Sequence, residues 1–345
     1  MPPCARREFV GCLDLNRLAR LSPARSATRP LRTKALLPMF LLLAVLGAIN
    51  LPAQPTTNQP PSRSRLPAGV TAARDLEYGR AGGKILHLDL YYPEKSQNLL
   101  PLIIWIHGGA WRTGTKNDAV PPLPLTAEGY AVASVEYRLS QEAVFPAQIY
   151  DCKAAVRWLR ANAPRYHLDP AKFAAWGASA GGHLAALLGT SGGVAALEGD
   201  VNDLKESSRV QAVVDWYGPS ALLQIGIPDS DIKHNDPGSP ESQLIGGAIL
   251  EHEDKAAQAS PVTYILGVTA GLHGASDNHT ETPPFLIMHG DRDRSVPFNQ
   301  SELLDAALKK AGADSTFIPV KGVGHGFSGP EYLPPAREFL KRCLK

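Results

Sequence analysis

The chain is 345 residues long, 44% hydrophobic and 20% charged, enough apolar material for a sizeable core, which excludes global disorder. A formal charge of +2 is too small for a binder that works by neutralising phosphates, and four cysteines are too few for a disulfide scaffold.

The first segment differs from the rest. Residues 1–53 hold eight Lys/Arg against two acids, Glu8 and Asp14, and Ala35–Ile49 is apolar apart from Pro38. A basic region, an apolar run and the ending Leu51-Pro52-Ala53 predict a signal or targeting segment, with export to the periplasm or the medium. The run is shorter than the roughly 20 residues a membrane span needs. An uncleaved N-terminal anchor is the alternative, because Leu51 stands where a small residue is preferred. Eight of the 35 basic and two of the 33 acidic residues leave with this segment, so the remainder carries a formal charge of −4. The slight basicity belongs to the targeting segment, and neither nucleic acid nor an anionic membrane is an expected partner. Residues 54–71, with Pro55, Pro60, Pro61 and Pro67, read as a proline-rich linker. Residues 72–345 read as one folded domain.

Within that domain short apolar runs alternate with helical patterns. Strands are predicted at Ile85–Tyr91, Leu102–Ile106, Ala131–Glu136, Lys172–Gly177, Val210–Tyr217, Phe285–His289 and Thr316–Val320, most of them bounded by Gly or Pro and suited to burial on both faces. Helices are predicted at Ala147–Ala163, where Ile149, Cys152, Val156 and Leu159 share one face, and at Gly182–Leu188, Gln300–Lys310 and Pro335–Leu344. The alternation predicts an α/β fold, a doubly wound and mostly parallel sheet covered by helices. Pro219–Thr282 breaks the rhythm and reads as an irregular excursion with short helices over one end of the sheet.

Chemistry concentrates where strands end. Gly177-Ala178-Ser179-Ala180-Gly181 follows a strand and opens an Ala/Leu-rich helix, the setting of a nucleophile elbow, in which a sharp turn exposes the Ser179 hydroxyl. His107-Gly108-Gly109-Ala110-Trp111 follows the strand at Leu102–Ile106. Amides at Gly109, Ala110 and Ala180 are there to stabilise an oxyanion. A serine needs a base that an acid orients. His325 in Gly324-His325-Gly326-Phe327 supplies the base, and Asp293 in Gly290-Asp291-Arg292-Asp293 the acid, with Asp291 as its competitor. The order Ser179, Asp293, His325 is that of strand-turn-helix hydrolases.

Together these four motifs resemble the α/β-hydrolase esterases related to hormone-sensitive lipase, most closely the branch of bifunctional feruloyl and acetyl xylan esterases. Val135-Glu136-Tyr137-Arg138-Leu139, Phe145-Pro146-Ala147-Gln148 and Asp151–Leu159 resemble that branch too. The likeness covers about residues 75–345. It implies the α/β-hydrolase fold, the triad Ser179, Asp293 and His325, and hydrolysis of small acyl esters, among them acetyl or feruloyl esters of plant polysaccharide. Amide cleavage by a formamidase or peptidase-like relative, and a non-catalytic binding module, are the other readings. Two departures stand out: Ala110 occupies the place of a third glycine, and Gly267–Thr282 is longer than its counterpart.

Of the remaining candidates, Trp111, Trp216 and Tyr217 follow strands on the same edge of the sheet and are expected to line a substrate pocket. His107 and His289 are expected to hydrogen-bond neighbouring loops, and His183 to be structural. His234, His252, His273 and His279 show no metal-ligand spacing, so no metal and no cofactor is expected. Cys152 and Cys343 are either a bridge or two separate thiols.

Overall fold

Chain segments without room for polar side chains end up at the centre of the sheet. In the computed structural model, which describes residues 66–228, 230–265 and 282–345, eight strands form one sheet: β1 (Val70–Ala81), β2 (Lys84–Pro93), β3 (Leu100–Ile106), β4 (Ala131–Val135), β5 (Leu168–Ala178), β6 (Ala212–Trp216), β7 (Phe285–Gly290) and β8 (Ser315–Val320). Their order is β1-β2-β4-β3-β5-β6-β7-β8. The β1–β2 and β2–β4 pairs are antiparallel and all the others parallel. Residues 1–53, read above as a targeting segment, residues 54–65 of the linker, and residues 229 and 266–281 of the excursion lie outside the described residues.

Strand periodicity assigns the core. On β3, Leu102, Ile104 and Ile106 face one apolar cluster while Ile103 and Trp105 face the other, as the two-residue repeat of a strand requires. The first cluster is closed by α1 (Ala147–Ala161), α2 (Ala180–Thr190) and α6 (Asn299–Lys310), through Ile149, Val156, Leu184, Leu187, Leu304 and Leu308. The second is closed by α7 (Leu333–Leu344), through Ala336, Phe339, Leu340 and Leu344. Helices on both faces make this the doubly wound α/β-hydrolase arrangement. Cys152 lies in the first cluster and Cys343 against the second, on opposite faces of the sheet, and both thiols are free.

β1 was not expected from the sequence. Its register slips between Ala73 and Leu76 and again between Glu77 and Gly79, so no apolar alternation survives, and Arg74, Asp75, Glu77 and Arg80 dilute what remains. It begins at Val70, two residues inside the segment read as linker, where Val70 and Thr71 pair with Pro93 and Tyr92. Buried charge fixes this edge: Lys116 Nζ contacts Asp89 Oδ1 at 2.8 Å and Asp75 Oδ1 at 2.6 Å. The excursion between β6 and β7 contains α3 (Pro240–Ile245), α4 (Glu253–Gln258) and α5 (Pro261–Ile265), short helices of the kind the sequence predicted there.

Candidate active site

The carboxyl ends of the parallel strands converge on one rim. At the end of β5 the chain turns into α2 at Ser179, whose φ of 55° and ψ of −122° lie where few side chains go. Two glycines make the turn passable. A Cβ on Gly177 would strike the Gly181 carbonyl, and one on Gly181 would strike the Ile106 carbonyl. Ser179 N–H donates to the Trp216 carbonyl at 2.8 Å, tying the elbow to the end of β6.

β7 and β8 deliver the other two groups. Ser179 Oγ stands 2.9 Å from His325 Nε2, and His325 Nδ1 stands 2.7 Å from Asp293 Oδ2. The Asp293 side chain is fully buried while that of His325 is 27% exposed, so the acid is enclosed and the imidazole faces the open side. Asp293 Oδ1 accepts the amides of Ser295 and Val296 at 2.8 and 2.9 Å. Burial opposes ionisation of Asp293, but hydrogen bonds from His289 and His325 outweigh it and hold the carboxyl well below its ordinary value. Asp291, the competing acid, turns away: its Oδ1 accepts the Gly322 amide at 2.7 Å and its Oδ2 lies 3.4 Å from Lys321 Nζ.

After β3 the backbone takes three successive left-handed residues, Gly109 (φ 100°), Ala110 (φ 56°) and Trp111 (φ 56°). Ala110 thus adopts the conformation a third glycine would take freely, at a cost of roughly 1 kcal/mol. Among the described residues, the amides of Gly109, Ala110 and Ala180 donate to no protein acceptor, and all three residues border a cavity of about 710 Å³ together with Ser179 and His325. The sites expected for nucleophile, base and oxyanion amides therefore share one space, with the acid directly behind the base.

Trp111, Trp216 and Tyr217 border the same cavity, yet each is almost wholly buried and does something further. Trp216 belongs to an edge-to-face trio with Trp105 and Trp176, with centroids 5.0 to 6.5 Å apart. Tyr217 packs edge-on against His325 at 4.9 Å and donates its hydroxyl to the Phe327 carbonyl at 2.9 Å, which props the loop carrying His325. His289 stands closer to the chemistry than its sequence position suggested. Its Nε2 lies 3.2 Å from Asp293 Oδ2 and 3.0 Å from the Val296 carbonyl, and its Nδ1 lies 2.7 Å from Ser301 Oγ. The sequence signal was its place four residues before Asp293 at a buried strand end.

The BD-FAE family model matches residues 88–308. The chain belongs to the BD-FAE family. That match spans three of the four motifs read from the sequence, and Gly324-His325-Gly326-Phe327 lies beyond it. Esterase LipQ of Mycobacterium tuberculosis is 30% identical over 286 residues, 81% of this chain and 61% of that protein. The chain spans between about half and three fifths of the lengths of the curated relatives it matches. Among solved structures, a truncated carbohydrate esterase from gut microbiota is 34% identical with a TM-score of 0.69, covering 79% of this BD-FAE chain and 95% of that one. The thermophilic esterase Est2 of the planctomycete Thermogutta terrifontis is 26% identical with a TM-score of 0.60, covering 80% and 92%; that esterase is also described phosphoramylated by tabun.

Proposed function

We propose that this BD-FAE chain is a serine carboxylic ester hydrolase working through an acyl-enzyme. The observation that carries the reading is His325, which bridges Ser179 Oγ at 2.9 Å and Asp293 Oδ2 at 2.7 Å beside a cavity bordered by three amides that have no protein acceptor among the described residues. His325 Nε2 takes the hydroxyl proton as Ser179 Oγ bonds to the ester carbonyl carbon. The carbonyl oxygen becomes an oxyanion against the amides of Gly109, Ala110 and Ala180. The C–O bond to the alcohol then breaks, and His325 returns the proton to the departing alkoxide. Water repeats the attack on the acyl-enzyme with His325 again as base, releasing the acid and restoring Ser179. Throughout, Asp293 fixes the tautomer that presents a bare Nε2 and stabilises the transient imidazolium.

The substrate reading is an acetyl or feruloyl ester of plant polysaccharide. It is supported by family membership, by likeness to a carbohydrate esterase, and by a cavity of about 710 Å³, large enough for an aromatic acyl group. Residues 1–53 fit this as an export segment, cleaved or retained as an anchor; N-terminal sequencing of protein recovered outside the cytoplasm tests that. A panel of p-nitrophenyl acetate, p-nitrophenyl octanoate, methyl ferulate, acetylated xylan and N-formylkynurenine tests the substrate. Turnover of ferulate or acetylated xylan above the simple esters is expected, and turnover of the formamide alone overturns it. Ser179→Ala is expected to lower kcat by about 10⁶ with the fold retained. Substantial residual turnover would reject the mechanism.

A further inference from the structure

One buried histidine touches three parts of the site without belonging to the triad. We propose that His183 is a positioning residue for the oxyanion loop: its imidazole, anchored to the excursion, accepts the indole N–H of Trp111 and so holds the Gly109 and Ala110 amides in place. The inference rests on the esterase reading above and names what maintains its oxyanion site.

The partners dictate the state of the ring. His183 Nε2 lies 2.6 Å from the Ala259 carbonyl, which can only accept, so Nε2 carries a hydrogen. Trp111 Nε1 lies 3.2 Å from His183 Nδ1 and can only donate, so Nδ1 is a bare lone pair. Both contacts are met only by the neutral Nε2–H tautomer. The surroundings favour that form: burial brings the imidazole down to about 4, against an opposing contribution from the Ala259 hydrogen bond. The two rings meet edge-on, at 85° and 5.0 Å, and both side chains are sealed from solvent.

The oxyanion loop needs such a tether. Three consecutive left-handed residues, two of them with a Cβ, persist only where surrounding contacts over-determine them. Among the described residues the Gly109 and Ala110 amides have no protein acceptor to orient them, so their direction is inherited from neighbouring residues. On one side the Gly109 carbonyl accepts Arg112 and Thr113 amides, both at 3.0 Å; on the other the Trp111 carbonyl accepts the Ser140 amide at 2.8 Å. The indole bond to His183 is the tether that reaches the nucleophile's own helix, because the His183 amide donates to the Ser179 carbonyl at 3.0 Å. One residue therefore links nucleophile, oxyanion loop and excursion.

The test compares full-length chains carrying His183→Leu, His183→Gln, Trp111→Phe, and the His183→Leu/Trp111→Phe pair. Each is measured for hydrolysis of p-nitrophenyl acetate and for inhibition by a trifluoromethyl ketone, whose serine adduct carries the oxyanion. His183→Leu and Trp111→Phe are each expected to lower kcat about tenfold or more with KM within about twofold, and to weaken the ketone by the same factor. The pair is expected to be no worse than His183→Leu alone, since both remove one bond. His183→Gln, which can still accept through Oε1 and donate through Nε2, is expected to keep most of kcat. Should His183→Leu fail to fold, Trp111→Phe is read beside His183→Gln. The first removes the indole N–H together with part of the buried ring and leaves the His183–Ala259 bond, and the second keeps an acceptor for the intact indole. A loss in Trp111→Phe with kcat kept in His183→Gln then supports the tether, and equal losses in both overturn it. Unchanged kcat and ketone affinity in folded variants, additive losses in the pair, or a change confined to KM would overturn the proposal. Absence of Ser179-dependent turnover in the unsubstituted chain would instead strike the esterase reading itself.

Discussion

The rim formed by β5, β7 and β8 and the excursion between β6 and β7 meet at the same cavity but are held in different ways. On the rim, Ser179, Asp293 and His325 sit in turns or loops that directly follow strands, and parallel pairing fixes where those strands end. The excursion reaches the cavity with Ile232, Pro240 and Glu241, far from any strand. There single polar contacts hold the chain. His234 Nδ1 stands 3.0 Å from Glu241 Oε2, both side chains buried; Ser239 Oγ donates to the His234 carbonyl at 2.6 Å; and the Asp231 amide donates to the Arg294 carbonyl at 2.7 Å. Sheet geometry thus sets the reacting atoms, and individual polar contacts of side chain and main chain set the wall around them. Substitutions on the rim should change kcat, and substitutions in the excursion should change stability and substrate preference.

The largest effect expected after loss of the nucleophile is at the acid. Asp293→Asn is expected to lower kcat by about 10⁴, by analogy with serine proteases, because an amide cannot fix the tautomer that His325 requires. Asp291→Asn is expected to stay near the unsubstituted rate, since that carboxylate bonds the Gly322 amide and not His325. Steady-state kinetics on a simple acetate ester separates the two. The reverse ranking would place the functional acid at the wrong end of the β7 loop.

This contrast also explains what could be read in advance. The strand-end motifs were legible because glycine spacing and chain order are imposed by local sterics: Ser179 needs small neighbours in any sequence that turns so sharply. Asp293 could be preferred over Asp291 by pattern, and the hydrogen bonds agree with that preference. β1 escaped notice because two register slips and four charged residues erase its periodicity, and its stabilising partner, Lys116, comes from a distant loop. His183 and His289 were visible only as histidines, since their partners, Ala259, Trp111 and Ser301, are brought near by tertiary packing. Trp111, Trp216 and Tyr217, expected along a substrate pocket, border the cavity, but the buttressing each performs depends on contacts that no spacing encodes.

Behind the elbow lies a buried charge. Asp215, at the end of β6, accepts the Gly218 amide at 2.9 Å through Oδ1, while among the described residues its Oδ2 has no hydrogen-bond partner. Burial pushes this carboxyl up to about 7, and the Gly218 amide only partly offsets it. A carboxyl raised above its unfolded value favours the fold below about pH 4, where both states are protonated, and loses that contribution as pH rises to about 7. Asp215→Asn is therefore expected to gain stability over the unsubstituted chain progressively between pH 4 and 7, reaching a few kcal/mol, then to hold level. Urea unfolding at several pH values measures this, and a gap independent of pH would refute it. His183 runs the other way: with its folded value near 4, stability present above its unfolded value near 6.5 is lost as pH falls. In the excursion, Glu241→Ala removes the carboxylate that faces His234 Nδ1 at 3.0 Å while the imidazole keeps Ser230 Oγ at 3.0 Å, and is expected to cost about 1 kcal/mol, with KM for bulky esters changing more than kcat for acetate. A fall in kcat equal for every ester would mean that the wall and the reacting atoms are not separable.

The smallest expected effect tests where the two regions touch. Arg294 follows the acid by one residue, and its guanidinium pairs with Asp231 at 2.9 Å, but both side chains are more than half exposed. Such pairs are screened by water and contribute less than about 1 kcal/mol. The stronger link there is the Arg294 carbonyl, which accepts both the Asp231 amide and Ser230 Oγ, the latter at 3.0 Å, and this survives any substitution of the side chain. Arg294→Ala is accordingly expected to leave kcat unchanged and to shift stability within that limit, with the small difference vanishing in high salt. If kcat fell instead, and fell equally in high salt for the unsubstituted chain, the ion pair rather than the main chain would be what holds the excursion to the acid loop. The catalytic geometry would then depend on the wall as well as on the sheet.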